Sequence, residues 1–389
     1  MVISGARTVT AEGILTEDVR IEEGRIVETG PNLSGRRLEA EGKLLLPGMI
    51  DIGVRMRDGR LRGGTLQRMS AKARANGFGL LALSSGCTPR IDNEITLEFA
   101  KSQAKQCEIP VLPLLAGVTE AGGLSDCAIL LKEGAVGIEF ESRMDGNLIR
   151  RLMEYARLRN VTLFCRADDP ALSGDGVMHE GAVSSALGLG GIPALAEYSQ
   201  VARIGEFADA YGVNVVILGA STPRTVALCE QYTHLHAQLS WHHLLLDDTA
   251  CEGYDTRAKL FPPLRDAEAR RQMLEQLKNG QIAMLGSLHS PVSETAKDAV
   301  FAEAAFGIDG LSGAMAILYS LLIKPGLMTW PQWRRMCVDI PAKLLGLEGG
   351  ESGWFLFDPD VLVEPEADSP YKNRALYGQV VPLRERDEG

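Results

Sequence analysis

From about residue 49 to about residue 305, short apolar runs alternate with stretches of helical periodicity. The runs read as strands near 49–56, 80–84, 111–116, 135–140, 161–165, 213–219, 236–241 and 282–287, most of them dominated by apolar residues. Strands buried on both faces carry that signature, because helices cover both sides of a parallel sheet. The intervening helical stretches fall near 65–77, 93–106, 123–133, 145–159, 193–211, 221–231, 266–279 and 295–305. Between Arg143 and Arg159, Leu148, Leu152 and Tyr155 are expected on one apolar face. Repeated strand–helix alternation over this length predicts an α/β chain, specifically a (β/α)₈ barrel of the TIM type.

Residues 1–48 follow a different pattern. Short β-rich segments are broken by Gly5, Gly13, Gly24, Gly30 and Pro31, and Ile21–Ile26 reads as a tight hairpin. Residues 349–389 are again β and turn, around Trp354–Pro359 and Tyr377–Val381, with Gly349-Gly350 read as the exit from the last helix. The organisation expected is therefore 1–48, 49–348 as the barrel, and 349–389.

Net charge of −11 argues against a nucleic-acid surface. Seven cysteines are scattered without C-x-x-C spacing, which suits reduced, mostly buried thiols. No apolar run approaches the ~18 residues of a membrane span and no signal-peptide pattern opens the chain, so a cytoplasmic protein without membrane contact is expected.

The sharpest motif is Leu46-Pro47-Gly48-Met49-Ile50-Asp51-Ile52-Gly53-Val54-Arg55-Met56-Arg57-Asp58, read as a Pro47-Gly48 turn feeding a buried strand with polar residues at its end. It resembles the first barrel strand of the type I dihydroorotases, cyclic amidohydrolases whose version runs Pro-Gly-(apolar)-Ile-Asp-x-His-Val-His-x-Arg. Further resemblance runs in order along the chain. Gly188–Glu197 with Val201-Ala202-Arg203, Trp241-His242-His243-Leu244-Leu245-Leu246, Pro262-Pro263-Leu264-Arg265, Phe306–Leu311 and Pro341–Leu347 all match family segments. The resemblance implies a metal-dependent barrel flanked by a small β-sandwich that both termini build.

It also places the positions where the family holds zinc, and here those positions have changed. Gly53 and Arg55 stand where the first strand has its two histidines. Arg166 replaces the histidine of the fifth strand, Gly219 that of the sixth, and Leu288 the aspartate of the eighth. On the fourth strand either Phe140 or Glu141 occupies the ligand position. Glycine offers no donor atom and arginine no lone pair, so no metal or other cofactor is expected and no catalytic residue is assigned. Without a ligated metal, nothing polarises an amide or activates water, and Leu288 cannot take a proton. Arg55 and Arg166 are expected in the old metal space, paired with Glu139, Glu141, Asp168 or Asp169.

Other contacts implied by the family are also altered, with Ser84-Ser85-Gly86-Cys87, Phe261 and Ala304-Ala305-Phe306-Gly307 in place of its motifs. Arg57 and His289 remain as a vestigial substrate pocket. His242-His243 reads as part of the frame, since adjacent strand residues face opposite ways. His234 and His236 lie at the wrong end of a strand, and His179 reads as a solvated loop residue. A makeshift metal site from His289, Glu141 and Asp168 stands as an alternative. Ser221-Thr222 and Ser287 offer hydroxyls with no His–Asp pair to activate them.

Three functions follow. The first is a non-catalytic homologue that, as the resemblance implies, supports aspartate carbamoyltransferase, the preceding enzyme of pyrimidine synthesis, in a homo- or hetero-oligomer. The second is an active dihydroorotase or other cyclic amidohydrolase with displaced ligands. The third is a small-molecule sensor that uses the pocket around Arg57 and His289.

Overall fold

In the structure, a computed structural model, the described residues are 1–347, 352–381 and 383. The segment around Gly349-Gly350 and the 348/349 boundary lie outside them.

Eight parallel strand positions follow one another in chain order. Met49–Val54, Phe78–Leu83 and Val111–Pro113 form a three-stranded sheet. Leu115–Ala116, Ile138–Glu141, Leu163–Arg166, Val215–Ala220, Leu235–Ser240 and Met284–Gly286 form a six-stranded one. Leu114 links the two sheets within one extended segment, its N–H donating to Leu83 O at 2.9 Å while Leu115 N donates to Gly137 O at 2.9 Å. The first and last strands also meet: Ser287 N donates to an Asp51 carboxylate oxygen at 3.1 Å, and Arg55 N to His289 O at 2.8 Å.

Alternation along the strands sorts their apolar residues into two layers. Ile50, Ile52, Leu80, Ala82, Leu114, Phe164, Val216, Leu218 and Met284 pack together in one cluster. Their neighbours Leu81, Leu83, Leu163, Cys165, Val215 and Ile217 belong to a second, larger cluster shared with the helices. Helix starts follow local chemistry. Asn93, Asp145, Thr222 and Asp266 each accept from a backbone N–H of the helix they open, meeting the unpaired donors there.

Both ends of the chain contribute to one five-stranded sheet, ordered Leu376–Val381, Trp354–Val363, Leu44–Pro47, Arg7–Val9, Ile14–Leu15. A four-stranded sheet lies against it, with Ile3, Val19, Ile21, Leu45 and Leu356 in a common apolar cluster. The Ile21–Ile26 hairpin forms, with Glu23 and Gly24 both at positive φ, 49° and 74°, as a two-residue turn requires.

Several expectations need correction. Pro47-Gly48 is not a turn: the Leu44–Pro47 strand passes almost directly into Met49–Val54. Gly48 serves close approach instead, because a Cβ there would come 2.3 Å from Ser352 O and 2.6 Å from Gly79 Cα. On the Gly146–Arg159 helix the buried residues are Ile149, Leu152, Met153 and Ala156, with Leu148 and Tyr155 at the margins. The apolar stripe is thus rotated by one residue from the face expected. The helix read at 295–305 is only Glu294–Lys297. Beyond it the chain turns, with Phe301 buried and the Lys297 ammonium donating to Thr256 O and Lys259 O, both at 2.9 Å. No helix among the described residues is long and apolar enough to cross a membrane.

Candidate functional site

A cavity of about 270 Å³ opens at the C-terminal ends of the parallel strands. Catalytic groups of barrel enzymes gather at that end. Gly53, Arg55, Glu141, Arg166, Gly219, Leu288 and His289 all line it. Phe140 does not: it is buried in the helix-facing cluster, so of the two alternatives on the fourth strand Glu141 is the residue at the cavity. Arg57 is also absent from the lining. It sits exposed in the short 3-10 turn Arg57–Gly59, which turns the chain away immediately after the strand. The vestigial pocket therefore keeps His289 but not Arg57.

The two glycines occupy irregular strand positions. Gly53 (φ +85°) lies at a register shift between Ile52 and Val54, and Gly219 (φ +72°) at one between Leu218 and Ala220. Both conformations suit glycine and strain any residue with a Cβ. The space beside each is filled. A Cβ on Gly53 would meet Leu218 Cδ1 at 3.0 Å and Arg166 Nη2 at 3.5 Å, and one on Gly219 would meet Leu288 Cδ1 at 3.0 Å. Leu288 itself has φ +53°, unusual for a branched side chain. It is flanked by Ser287, whose N–H and hydroxyl both donate to Asp51, and by His289, whose N–H donates to Ser287 Oγ at 2.9 Å.

Charged side chains line much of the rest of the cavity. Arg166 Nε donates to Glu139 Oε1 at 2.9 Å, and its Nη2 to Gly53 O at 3.1 Å. The Glu139 carboxylate also accepts from Ser84 Oγ at 2.8 Å, Ser85 N at 2.7 Å and Ser85 Oγ at 3.0 Å. Burial by itself would raise its pKa, but Arg166, Arg55 and these donors together hold it below the ordinary glutamate value. Arg55 was expected to pair and does not. No carboxylate of the described residues stands within 4.0 Å of its guanidinium, and its Nε is buried without an acceptor. Arg166, and then burial, lower its pKa to about 10.

The other carboxylates are engaged elsewhere. Glu141 pairs with Arg143 at 2.7 Å on the exposed rim. Asp168 accepts from Ser173 Oγ at 2.6 Å, and Asp169 caps the Pro170–Ser173 turn of helix. His289 Nδ1 lies 3.2 Å from Asp309, which also binds Lys72. Burial opposes ionisation of Asp309, yet His289 and Lys72 keep its carboxyl far below the ordinary range. The makeshift site of His289, Glu141 and Asp168 is therefore not assembled. Among the described residues no three His, Cys, Asp or Glu side chains converge as a metal site. The zinc implied by the resemblance does not fit the residues here: two glycines, two guanidinium groups and a leucine supply no donor, and Glu139 is fully engaged.

The remaining histidines behave as frame. His242 bonds Tyr371 OH at 2.9 Å and Ser287 O at 3.2 Å, and His243 bonds Pro262 O at 3.1 Å. His236 bonds Asn214, away from the cavity. His179 is a correction, being buried beside Arg265 Nη1 at 3.4 Å rather than solvated. Ser221-Thr222 serve neighbouring structure. Their N–H groups donate to the buried Glu197 at 2.9 and 3.2 Å, and Glu197 pairs with Arg265 at 3.4 Å.

Asp51 is a cavity residue to which the sequence assigns no role. It lines the cavity fully buried, and burial pushes its carboxyl up to about 6 despite the Ser287 hydrogen bonds, which lower it. Unfolded aspartate titrates near ~3.9. Across that window the folded state binds the extra proton, so this group makes stability fall as pH rises. Asp51→Asn is expected to remove that slope. Unfolding midpoints measured across the window check this, and identical slopes for variant and wild type would refute it.

No protein-family model matches the chain. Curated relatives do. A dihydroorotase of Pelotomaculum thermopropionicum is 32% identical over 406 residues, covering 97% of this chain and 95% of that protein. One of Thermoanaerobacter sp. strain X514 is 32% identical over 348 residues, covering 86% and 81%. Among solved structures, the L-hydantoinase (dihydropyrimidinase) of Arthrobacter aurescens superposes with a TM-score of 0.85 at 19% identity, covering 98% of this chain and 93% of that one. The dihydropyrimidinase of Brevibacillus agri NCHU1002 gives 0.81 at 19% identity, covering 98% and 92%. These two likenesses establish the α/β architecture and nothing about activity.

Proposed function

The chain belongs to the dihydroorotase family, and from that premise we propose that it is a non-catalytic member, a structural partner of aspartate carbamoyltransferase in pyrimidine synthesis. One observation carries the first half of this reading. At the positions where the resemblance puts metal ligands stand Gly53, Arg55, Arg166, Gly219 and Leu288, none with a donor for a metal, and Leu218 and Leu288 crowd the two glycines where a larger side chain would have to enter. A metal-dependent hydrolysis has no donors to start from there.

The architecture in this reading is a closed (β/α)₈ barrel over 49–348, with residues 1–48 and 349–389 as its flanking β-sandwich. The chain-ordered parallel strands and the hydrogen bonds joining the first to the last support closure. The partner comes from the family resemblance. In this reading the protein works in the cytoplasm, in a homo- or hetero-oligomer, without a bound metal.

The second reading is an active cyclic amidohydrolase, favoured by 32% identity over nearly the whole chain to a protein named dihydroorotase. It requires metal donors other than those at the family positions.

Co-expression with the same organism's aspartate carbamoyltransferase, followed by size-exclusion chromatography, tests the proposal. Co-elution is expected, with an interface burying well over ~1,000 Å², and so is absence of dihydroorotate turnover with or without added zinc. Separate elution, with a transferase that assembles and works alone, overturns the partnership. Zinc-dependent turnover by the purified chain establishes the second reading instead.

A further inference from the structure

Residues 55–91 hold eight arginines and lysines but one carboxylate, Asp58, in a chain that carries 40 basic against 51 acidic residues overall. Three of the eight are accounted for: Lys72 pairs with Asp309, Arg74 pairs with Glu108, and Arg55 lines the cavity. Arg57, Arg60, Arg62, Arg68 and Arg90 are left, and none stands within 4.0 Å of a carboxylate of the described residues. Asp58 turns instead to Ser293, whose N–H donates to its Oδ1 at 2.8 Å.

The backbone gathers these arginines on one rim, just past the first two parallel strands. After the 3-10 turn Arg57–Gly59 the chain runs extended, with φ/ψ of −98/116° at Arg60 and −136/140° at Arg62. Side chains alternate along such a segment, so Leu61, 4% exposed, faces inward while Arg60 and Arg62 are both exposed. The loop after the second strand lies alongside. Arg60 and Thr88 form a parallel bridge, with Thr88 N donating to Gly59 O at 2.7 Å and Leu61 N to Thr88 O at 3.0 Å. Just beyond that bridge stand Arg62 on one segment and Arg90 on the other. Helix Gly63–Ala75 begins at once after Arg62, and its first turn, a place where acidic residues are favoured, adds no negative charge.

Arginine's planar fork matches a carboxylate with two parallel hydrogen bonds, and it gives up water more readily than an ammonium does. Arginines set side by side without counterions repel one another, and an anionic partner removes that repulsion. The patch is short. Just past Arg90 come Asp92 and Glu94, and Glu120 joins them, its N–H donating to Asp92 Oδ2 at 3.1 Å. A phosphate backbone draws its affinity from many basic contacts along its length, and this acidic edge interrupts such a track.

We propose that this rim is a docking surface for a carboxylate-rich segment of a partner protein, with Arg60, Arg62 and Arg90 at its centre and Arg57 and Arg68 beside them. It rests neither on the transferase partnership nor on the state of the cavity, so co-elution and turnover bear on separate questions.

Fluorescence anisotropy of a labelled decaglutamate peptide titrated with the full-length protein tests it. Saturable binding is expected at low salt, weakening as sodium chloride screens the exposed charges. Reversing both central charges, Arg60→Glu with Arg62→Glu, should weaken the peptide at least about tenfold. Arg224→Glu with Lys278→Glu changes net charge equally, at exposed positions on two other helices, and should leave the affinity within about twofold. An oligothymidylate of the same length should bind more weakly than the peptide. The salt series and the peptide–oligonucleotide comparison need only the wild-type chain, so they stand even where the double variant folds poorly. Absence of saturable binding, affinity indifferent to salt, or equal losses in the two double variants would each overturn the proposal. Oligothymidylate binding as tight as the peptide's would overturn it too, by assigning the rim to nucleic acid.

Discussion

Replacing Glu139 by glutamine is expected to destabilise the protein by roughly 3–5 kcal/mol, the usual cost of breaking a buried ion pair from one side. Glu139 is 5% exposed, pairs with Arg166, feels the Arg55 charge and accepts from Ser84 and Ser85. Its neutralisation leaves the Arg166 guanidinium without its carboxylate and removes the anion that offsets the repulsion between Arg166 and Arg55. Arg166→Met should cost less, because the same change relieves Arg55 and leaves it to balance Glu139. Glu141→Gln is the surface control: its pair with Arg143 is half-exposed on both sides and is worth about 0–1 kcal/mol. The order of denaturation midpoints should therefore be Glu139→Gln lowest, then Arg166→Met, then Glu141→Gln near wild type. A Glu139→Gln variant that melts with wild type would show that the pair contributes nothing.

The same residue sets a pH signature. Glu139's folded pKa lies below its ordinary value. Its stabilising contribution is therefore complete above the unfolded range near ~4.3, and is lost as pH falls through the lower folded value. Glu139→Gln should remove that part of the acid-side loss. Asp51 works in the opposite sense, so the two variants should tilt the acid limb in opposite directions.

Most of the architecture was readable because parallel strands buried on both faces have little choice of residue. Phe78–Leu83, all six residues buried, could hardly read as anything but a core strand or a piece of buried helix. The stretch after the last strand was misread for the opposite reason. Residues 298–305 have a helical composition, but the chain there answers to Lys259 and Lys297, whose ammonium groups seek carbonyls across the loop. At the site, the exchanged positions that the resemblance implies could be named from the sequence. What packs beside them could not, since Leu218 meets Gly53, and Leu288 meets Gly219, only in three dimensions. The link between Asp51 and Ser287 spans 236 residues, and no local pattern carries it. That Arg166 and not Arg55 stands within ion-pair distance of Glu139 is likewise a matter of three-dimensional placement.

Reinstating histidine at positions 53 and 55 together should yield a less stable protein with no dihydroorotate turnover. Gly53 has φ +85°, where an L side chain costs roughly 1–2 kcal/mol. The new ring must also displace Leu218 and the Arg166 guanidinium from a filled space, an overpacking cost of about 1–3 kcal/mol. Arg55→His removes like-charge repulsion from Arg166 and offsets part of this. The expected net loss is roughly 1–4 kcal/mol. Chemistry does not return with the two rings. Arg166 would still place a fixed positive charge beside them, Gly219 would still lack a donor, and Leu288 would still be unable to take a proton. Zinc content and turnover of the purified double variant decide the matter. Stoichiometric metal with measurable hydrolysis would mean that the leucines and Arg166 yield easily, and that the site is one substitution step from activity rather than rebuilt. A variant as stable as wild type, with neither metal nor turnover, would leave the proposed loss of function standing but refute the packing account of it.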